Sequence, residues 1–132
     1  MNTTPDKFEQ KKAHFTAAKN YGGIRNLTPH AVTVAGVTYP PSGIVVRVEE
    51  SYHTDGEFCS AEKGKLILEK EGQPFPLAGH EFDGTVNIVS AMVLEITKDW
   101  YTGVWVAPAT GHPDVVRNEK GHIVSVPCFR LF

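Results

Sequence analysis

The sequence has few cysteines, no long apolar run and no concentration of positive charge, and each deficit argues against a class of protein. The two cysteines, Cys59 and Cys128, lie far apart without a CxxC partner, so we expect reduced thiols. The first residues lack the apolar core of a signal peptide, and no segment has the roughly 18 apolar residues that a membrane-spanning helix requires. We therefore expect a cytoplasmic protein without a membrane partner.

The charge balance is slightly acidic, with 13 lysines and arginines against 15 acidic residues and a formal net charge of −2. Surfaces that bind nucleic acid need clustered lysine and arginine. The one tight cluster, around Lys11 and Lys12, is interleaved with Asp6 and Glu9, which is typical of a solvated helix face. Nucleic acid is therefore not an expected partner.

Motifs of high catalytic specificity are also missing. The chain contains no GxSxG, no Walker loop and no GxGxxG. Its six histidines show no HxH, HxxH or HExxH spacing, although dispersed histidines can converge in a fold. We accordingly predict no catalytic residue, no bound metal and no cofactor.

The N-terminal residues 1–23 are predicted to form a helical extension and a linker. A helix over residues 5–19 would be capped by Thr4. Its apolar stripe is thin, being formed mainly by Phe8 and Phe15. Such a helix packs either on the domain or on a partner, and the sequence leaves both alternatives open.

Residues 24–132 are predicted to form a single α+β domain with a mixed β-sheet. Residues 51–64 are expected to be a polar loop, and residues 72–84, which are rich in glycine and proline, to be irregular. The predicted strands are Ile24–Leu27, Ala31–Val34, Val37–Tyr39, Ile44–Glu49, Lys65–Glu69, Val86–Val89, Val104–Ala107, Val115–Arg117 and His122–Val126.

A strand–helix–strand unit predicts a ligand crevice. The strand Val86–Val89 is followed by a helix over Ala91–Asp99 and by the strand Val104–Ala107. Backbone amides beyond the carboxyl ends of parallel strands commonly hold anions. Ser90, at the start of the helix, is either part of such an anion site or simply a helix cap.

Further polar residues are candidates for the same site. Thr110 and His112 follow the strand Val104–Ala107 and would open on the same edge if the two strands are parallel neighbours. Asn26, Thr28 and His30 surround a proline between two β segments. They either contact a polar ligand or form a turn that satisfies its own backbone.

Two arginines lie on predicted strands. Arg47 and Arg117 would bind a phosphate or carboxylate bidentately. Alternatively, they face solvent or pair with Glu49 and Glu119.

Five segments form a recognisable series along the chain: Asn26–His30, Pro40–Val48, Ile88–Ala91, Ala107–Gly111 and Val115–Val124. Together they resemble a small, poorly characterised family found in tailed phages and actinobacterial genomes, over roughly residues 24–126. The resemblance implies a phage or prophage origin, with the host cytoplasm as the location if a phage encodes the protein. It also implies one purpose for the polar residues at strand ends.

Three functional hypotheses follow. The leading one is a phage-type accessory protein that binds or sequesters a small anionic, nucleotide-like ligand without turning it over. The second is a hydrolase or lyase acting on such a ligand, with His30 or His112 as general acid and base. The third is an interaction module whose N-terminal helix binds a host protein or a second subunit.

Overall fold

The structure, a computed structural model, describes residues 6–62, 64–76, 84–100 and 103–132. Within them the chain has the predicted α+β fold, with two helices and many short strands. In chain order the elements are α1 (Lys7–Tyr21), β1 (Ile24–Asn26), β2 (Val32–Val34), β3 (Val37–Tyr39), β4 (Ile44–Glu49), β5 (Tyr52–Asp55), β6 (Phe58–Ala61), β7 (Lys65–Lys70), β8 (Gln73–Pro76), β9 (Val86–Ile88), α2 (Ala91–Thr97), β10 (Val104–Pro108), β11 (Val116–Arg117), β12 (Ile123–Ser125) and β13 (Phe129–Arg130).

A four-stranded central sheet with the order β1-β9-β10-β13 organises the fold. β1 and β10 lie parallel on either side of β9, and Val86 pairs with both Ile24 and Val104. β13 pairs antiparallel with β10. All three residues of β9 are buried, as expected for a parallel strand that is covered on both faces. The predicted strand–helix–strand unit is thereby confirmed.

Helix α2 covers one face of the central sheet. Ser90 caps it, since the hydroxyl oxygen accepts a hydrogen bond from the Val93 N–H at 3.3 Å. Val93 and Leu94 are fully buried and belong to the same core cluster as Val46 and Trp105. Through Val46, the antiparallel sheet β4-β7-β8 closes this side of the core.

Helix α1 packs on the other face of the central sheet. Its Phe15 and Ala18 contact the cluster of Val86, Ile88 and Val106. These three residues alternate along β9 and β10 with the residues that face α2, because neighbouring side chains of a strand point to opposite faces. The sequence left open whether this helix packs on its own domain or on a partner, and the structure shows that it packs on its own domain.

The start of α1 differs from the sequence prediction. The helix begins at Lys7, and Asp6 is its cap, because the Asp6 carboxylate accepts a hydrogen bond from the Glu9 N–H at 2.8 Å. The prediction that Thr4 caps the helix is therefore wrong; Thr4 itself lies outside the described residues. An aspartate carboxylate three residues before a free N–H accepts the same hydrogen bond as a threonine hydroxyl. Its negative charge also interacts favourably with the positive end of the helix dipole.

The prediction of a polar loop over residues 51–64 is wrong, because β5 and β6 form a hairpin there. All the residues of both strands are exposed, so the segment lacks the alternation of apolar and polar residues that identifies a half-buried strand. Gly56, with a φ of 59°, supplies the left-handed backbone that the turn needs.

The prediction of irregular structure over residues 72–84 is wrong at its beginning. Strand β8 occupies Gln73–Pro76 and forms the edge of the sheet β4-β7-β8. Prolines are tolerated on an edge strand, since an outward-facing position needs no N–H donor. Residues 77–83, which complete the predicted irregular segment, lie outside the described residues.

Candidate functional site

The carboxyl edge of the central sheet gathers several of the predicted site residues. Because β1, β9 and β10 run parallel, the residues that follow them share one edge of the sheet. Asn26 ends β1, Ser90 caps the helix that follows β9, and Thr110 follows β10. The strands at 86–89 and 104–107 are parallel neighbours, so the condition for the two loops to share one edge is met.

Asn26 is the centre of a hydrogen-bonded turn at this edge. Its side chain is buried, and the amide donates to the carbonyl oxygens of His30 at 2.8 Å and Tyr39 at 3.0 Å. Its carboxamide oxygen accepts from the Thr28 N–H at 3.0 Å and from the Thr28 hydroxyl at 2.6 Å. Both ends of the Asn26 side chain are thus engaged within the chain, as in the self-satisfied turn that the sequence left open. A ligand role for Asn26, Thr28 and His30 stays a prediction.

The other predicted site residues at this edge also form hydrogen bonds with backbone groups close to them in the chain. The Ser90 hydroxyl caps α2, as described above. The Thr110 N–H donates to the Pro108 carbonyl at 2.8 Å. His112 is half-buried, and its Nδ1 accepts a hydrogen bond from the Asp114 N–H at 3.1 Å. The carboxyl edge therefore has the polar groups of the predicted crevice, but these bonds hold the loops in place.

The two arginines that the sequence predicts to bind an anion lie in other sheets. Arg47 lies on β4, and its Nε donates to the Glu69 carboxylate at 2.8 Å, so its partner is not Glu49. Arg117 lies on β11, and its guanidinium donates to the Gly121 carbonyl at 2.8 Å within the β11–β12 hairpin. Both are exposed, and no contact in the described part of the chain links either of them to the carboxyl edge.

Replacing Arg117 with alanine tests its predicted role. We expect the free energy of unfolding to change by no more than about 0.5 kcal/mol, because the side chain is exposed and its one described bond is to a hairpin carbonyl. Urea denaturation measures this. Unchanged stability together with an affinity for an anion weakened by roughly 1.5–3 kcal/mol would support the predicted ligand role instead.

A cleft lies at the other end of β10, away from the carboxyl edge. It has a volume of about 480 Å³ and is enclosed by the first half of α1, the segment that follows α2 and the start of β10. We call it the lysine cleft and define it by six of its lining residues: Lys7, Lys11, Lys98, Asp99, Trp100 and Trp105. A second and smaller groove, of about 190 Å³, lies beside Thr110 between β2 and β12.

The wall of the lysine cleft is aromatic. Trp105 is only 5% exposed, and Trp100 packs against it edge to face with 5.6 Å between ring centroids. Val104 and Leu131 extend the apolar surface. Such a surface binds the flat, apolar part of a ligand.

The rim of the lysine cleft is positively charged. Three lysines stand against a single aspartate in the lining, which leaves an excess of two positive charges. The Lys7 ammonium lies 3.0 Å from the Asp99 carboxylate, and this hydrogen bond holds the pKa of Asp99 below its ordinary value. Lys98 pairs with Glu95, just outside the cleft, at 2.9 Å. Lys7 and Lys98 are therefore cations whose carboxylate partners are exposed and replaceable.

Lys11 is the most enclosed of the three lysines. Its ammonium donates to the Lys98 carbonyl at 2.6 Å and to the Leu131 carbonyl at 3.4 Å, and it lies 4.7 Å from the centre of the Phe132 ring. Burial, followed by the neighbouring Lys7 charge, lowers the pKa of Lys11 from its usual value. These contacts fix the Lys11 ammonium at the cleft without a carboxylate directly bonded to it among the described residues.

Sequence reasoning missed the lysine cleft. The spacing of Lys7, Lys11 and His14 places them on one side of a helix, but the charged run is equally typical of a solvated face. Trp100 and Trp105 lie in or beside predicted elements, and nothing in their local sequence indicates a ligand surface. The cleft exists only because α1 packs beside the end of α2, and no local motif encodes that contact.

The remaining findings concern metals, membranes and relatives. The described residues contain no group of three or more histidine, cysteine, aspartate or glutamate side chains that would hold a metal ion, and both cysteines are free. No described helix combines the length and the apolar character needed to cross a bilayer. Comparison with known protein families, curated proteins and solved structures finds no match to this chain, and the resemblance to a phage family stays a prediction.

Proposed function

We propose that this protein binds a small anionic ligand with a flat apolar portion, such as a nucleotide, in the lysine cleft, and releases it unchanged. The observation that supports this proposal is the combination of a cationic rim with an aromatic wall in a space of about 480 Å³. As part of the proposal, the protein acts as a phage-type accessory protein in the cytoplasm.

The two parts of the cleft would bind the two parts of the ligand. Ammonium groups bind phosphate and carboxylate through charge-assisted hydrogen bonds, and Lys7 and Lys11 lie one helical turn apart on the same wall. The partly buried Trp100 indole would contact the flat apolar portion, and the buried Trp105 ring, packed against it, would hold it in position. A volume of several hundred cubic ångströms is in the range of small-molecule sites.

A thermal-shift screen with nucleotides and cyclic nucleotides tests the proposal. A one-site binder gains about 2.7 kcal/mol of stability when the ligand is present at a hundredfold excess over Kd. We expect at least one anionic aromatic compound to raise Tm in a dose-dependent way. A flat Tm across nucleotides, inorganic phosphate and aromatic carboxylates would exclude this function.

Two substitutions in the cleft should change affinity in opposite directions. Lys11→Ala should weaken binding by roughly 1.5–3 kcal/mol, because it removes a charged hydrogen-bond donor. Asp99→Asn should tighten binding a few-fold, because Lys7 would lose the carboxylate that competes with the ligand. Isothermal titration calorimetry measures both effects. Lys19→Ala is the matched control, since Lys19 lies on the same helix and outside the cleft lining; equal losses for Lys11→Ala and Lys19→Ala would contradict the assignment.

A hydrolase or lyase acting through His112 is the alternative. The Asp114 N–H bonded to Nδ1 fixes the orientation of the imidazole, and it leaves Nε2 to exchange a proton with a substrate. Chromatography of a bound compound after prolonged incubation separates the two functions. Recovery of intact compound excludes turnover, whereas loss of product formation in His112→Gln would support the enzyme.

A further inference from the structure

The β5–β6 hairpin, Tyr52–Ala61, is exposed along its whole length, and we call it the arm. Every residue of both strands is exposed, and within the described part of the chain the two strands pair only with each other. An isolated two-stranded hairpin is marginally stable in water, so contact with another surface would stabilise it. At its tip Phe58 is 77% exposed, which is unusual for a phenylalanine.

The arm and its base are acidic. Residues 49–62, which comprise both, have five carboxylates and no lysine or arginine. Two of them, Asp55 and Glu57, flank Gly56 in the turn, directly beside Phe58. The tip of the arm therefore presents an aromatic ring together with negative charge.

We propose that the arm of one copy of this protein binds in the lysine cleft of a second copy. This inference rests on the proposed function, because it takes the cleft to recognise an aromatic group that carries negative charge. Phe58 would contact Trp100, and Asp55 or Glu57 would pair with Lys7 or Lys98. The charges are complementary, and the cleft is large enough for a phenyl ring.

The arm does not fill the cleft of its own chain. No arm residue belongs to the lining of the lysine cleft, and Phe58 is largely exposed. The proposed contact joins two different surfaces, so it closes as a reciprocal dimer or a ring, or it extends as a chain. A small anionic ligand in the cleft would compete with the arm and release it.

A complementation experiment tests this contact. We expect the protein to self-associate in sedimentation velocity at low salt, and to dissociate at about 1 M salt, where charges are screened within about 3 Å. An arm variant, Phe58→Ser, and a cleft variant, Lys7→Glu with Lys98→Glu, should each be monomeric. Their mixture should form a 1:1 complex, since one intact arm and one intact cleft remain.

Several results would overturn the proposal. A monomeric wild type at all concentrations, or association that survives Phe58→Ser, excludes the contact. Association that requires Phe58 but survives the cleft variant would instead indicate pairing between arms through β6, whose exposed edge carries no charge or proline. Val37→Ser, which changes another exposed apolar residue, is the control and should associate like the wild type.

The same variants separate this proposal from the proposed function. Phe58→Ser keeps the lysine cleft intact and should still bind the anionic ligand. Ligand binding by Phe58→Ser combined with a monomeric wild type would overturn only the contact between copies. If Phe58→Ser binds no ligand, while the wild type self-associates and both the arm variant and the cleft variant do not, only the proposed function is overturned.

Discussion

Replacing Asn26 with alanine should lower the free energy of unfolding by about 3 kcal/mol or more. The Asn26 side chain makes four hydrogen bonds, to Thr28, His30 and Tyr39, in a buried position. Each buried donor or acceptor left without a partner costs about 1–3 kcal/mol. Urea denaturation of the purified variant measures the loss.

A surface asparagine provides the control for this experiment. The Asn118 side chain likewise accepts two hydrogen bonds, from the backbone N–H groups of Lys120 and His122. It lies in an exposed turn, however, where water can take its place. Asn118→Ala should cost about 1 kcal/mol or less. If Asn26→Ala were as stable as the wild type but no longer bound an anionic ligand, Asn26 would be a ligand residue, as the sequence first suggested.

Deleting residues 1–20 should destabilise the whole domain by about 3 kcal/mol or more, or prevent folding. Phe15 and Ala18 cover Val86, Ile88 and Val106, and burial of one phenylalanine alone contributes about 1.5–3 kcal/mol. Phe15 also packs against Phe129, with 5.7 Å between ring centroids. Circular dichroism during thermal unfolding measures the effect.

The deletion also separates two roles for helix α1. Phe8, 48% exposed and in contact with Phe132, should tolerate substitution by alanine far better than Phe15 does. A truncated protein that stays folded but no longer associates with a partner would support the interaction module instead. The predicted boundary near residue 23 would then separate two functional parts; it stays a prediction.

Local signals in the sequence were sufficient for much of the fold. Ser90 followed by a helical pattern defines the start of α2, because a serine hydroxyl satisfies a free N–H of the first turn. The β2–β3 hairpin turns at Ala35 and Gly36, which have φ angles of 50° and 83°. Such a turn needs left-handed backbone at both residues, and glycine adopts it readily. In both cases, residues within a few positions of each other decide the structure.

The sequence predicted only part of the candidate site. The strand–helix–strand pattern correctly placed Ser90 and the residues after β10 at one edge of a parallel sheet. It did not show that Asn26 is saturated by its own turn, because its partner Tyr39 comes from the following hairpin. Nor did it predict the ion pair between Arg47 and Glu69, because these residues become diagonal neighbours only when β4 pairs with β7.

By itself the sequence determined the fold class, most strands and the cap of α2, because short-range propensity and apolar periodicity encode these features. The tertiary structure alone decided that the lysines of α1 meet Trp100 and Trp105 in one cleft, since this requires a helix and a strand distant in the chain to pack together. It also decided that an acidic segment without apolar periodicity becomes the arm, because backbone pairing rather than burial forms that hairpin.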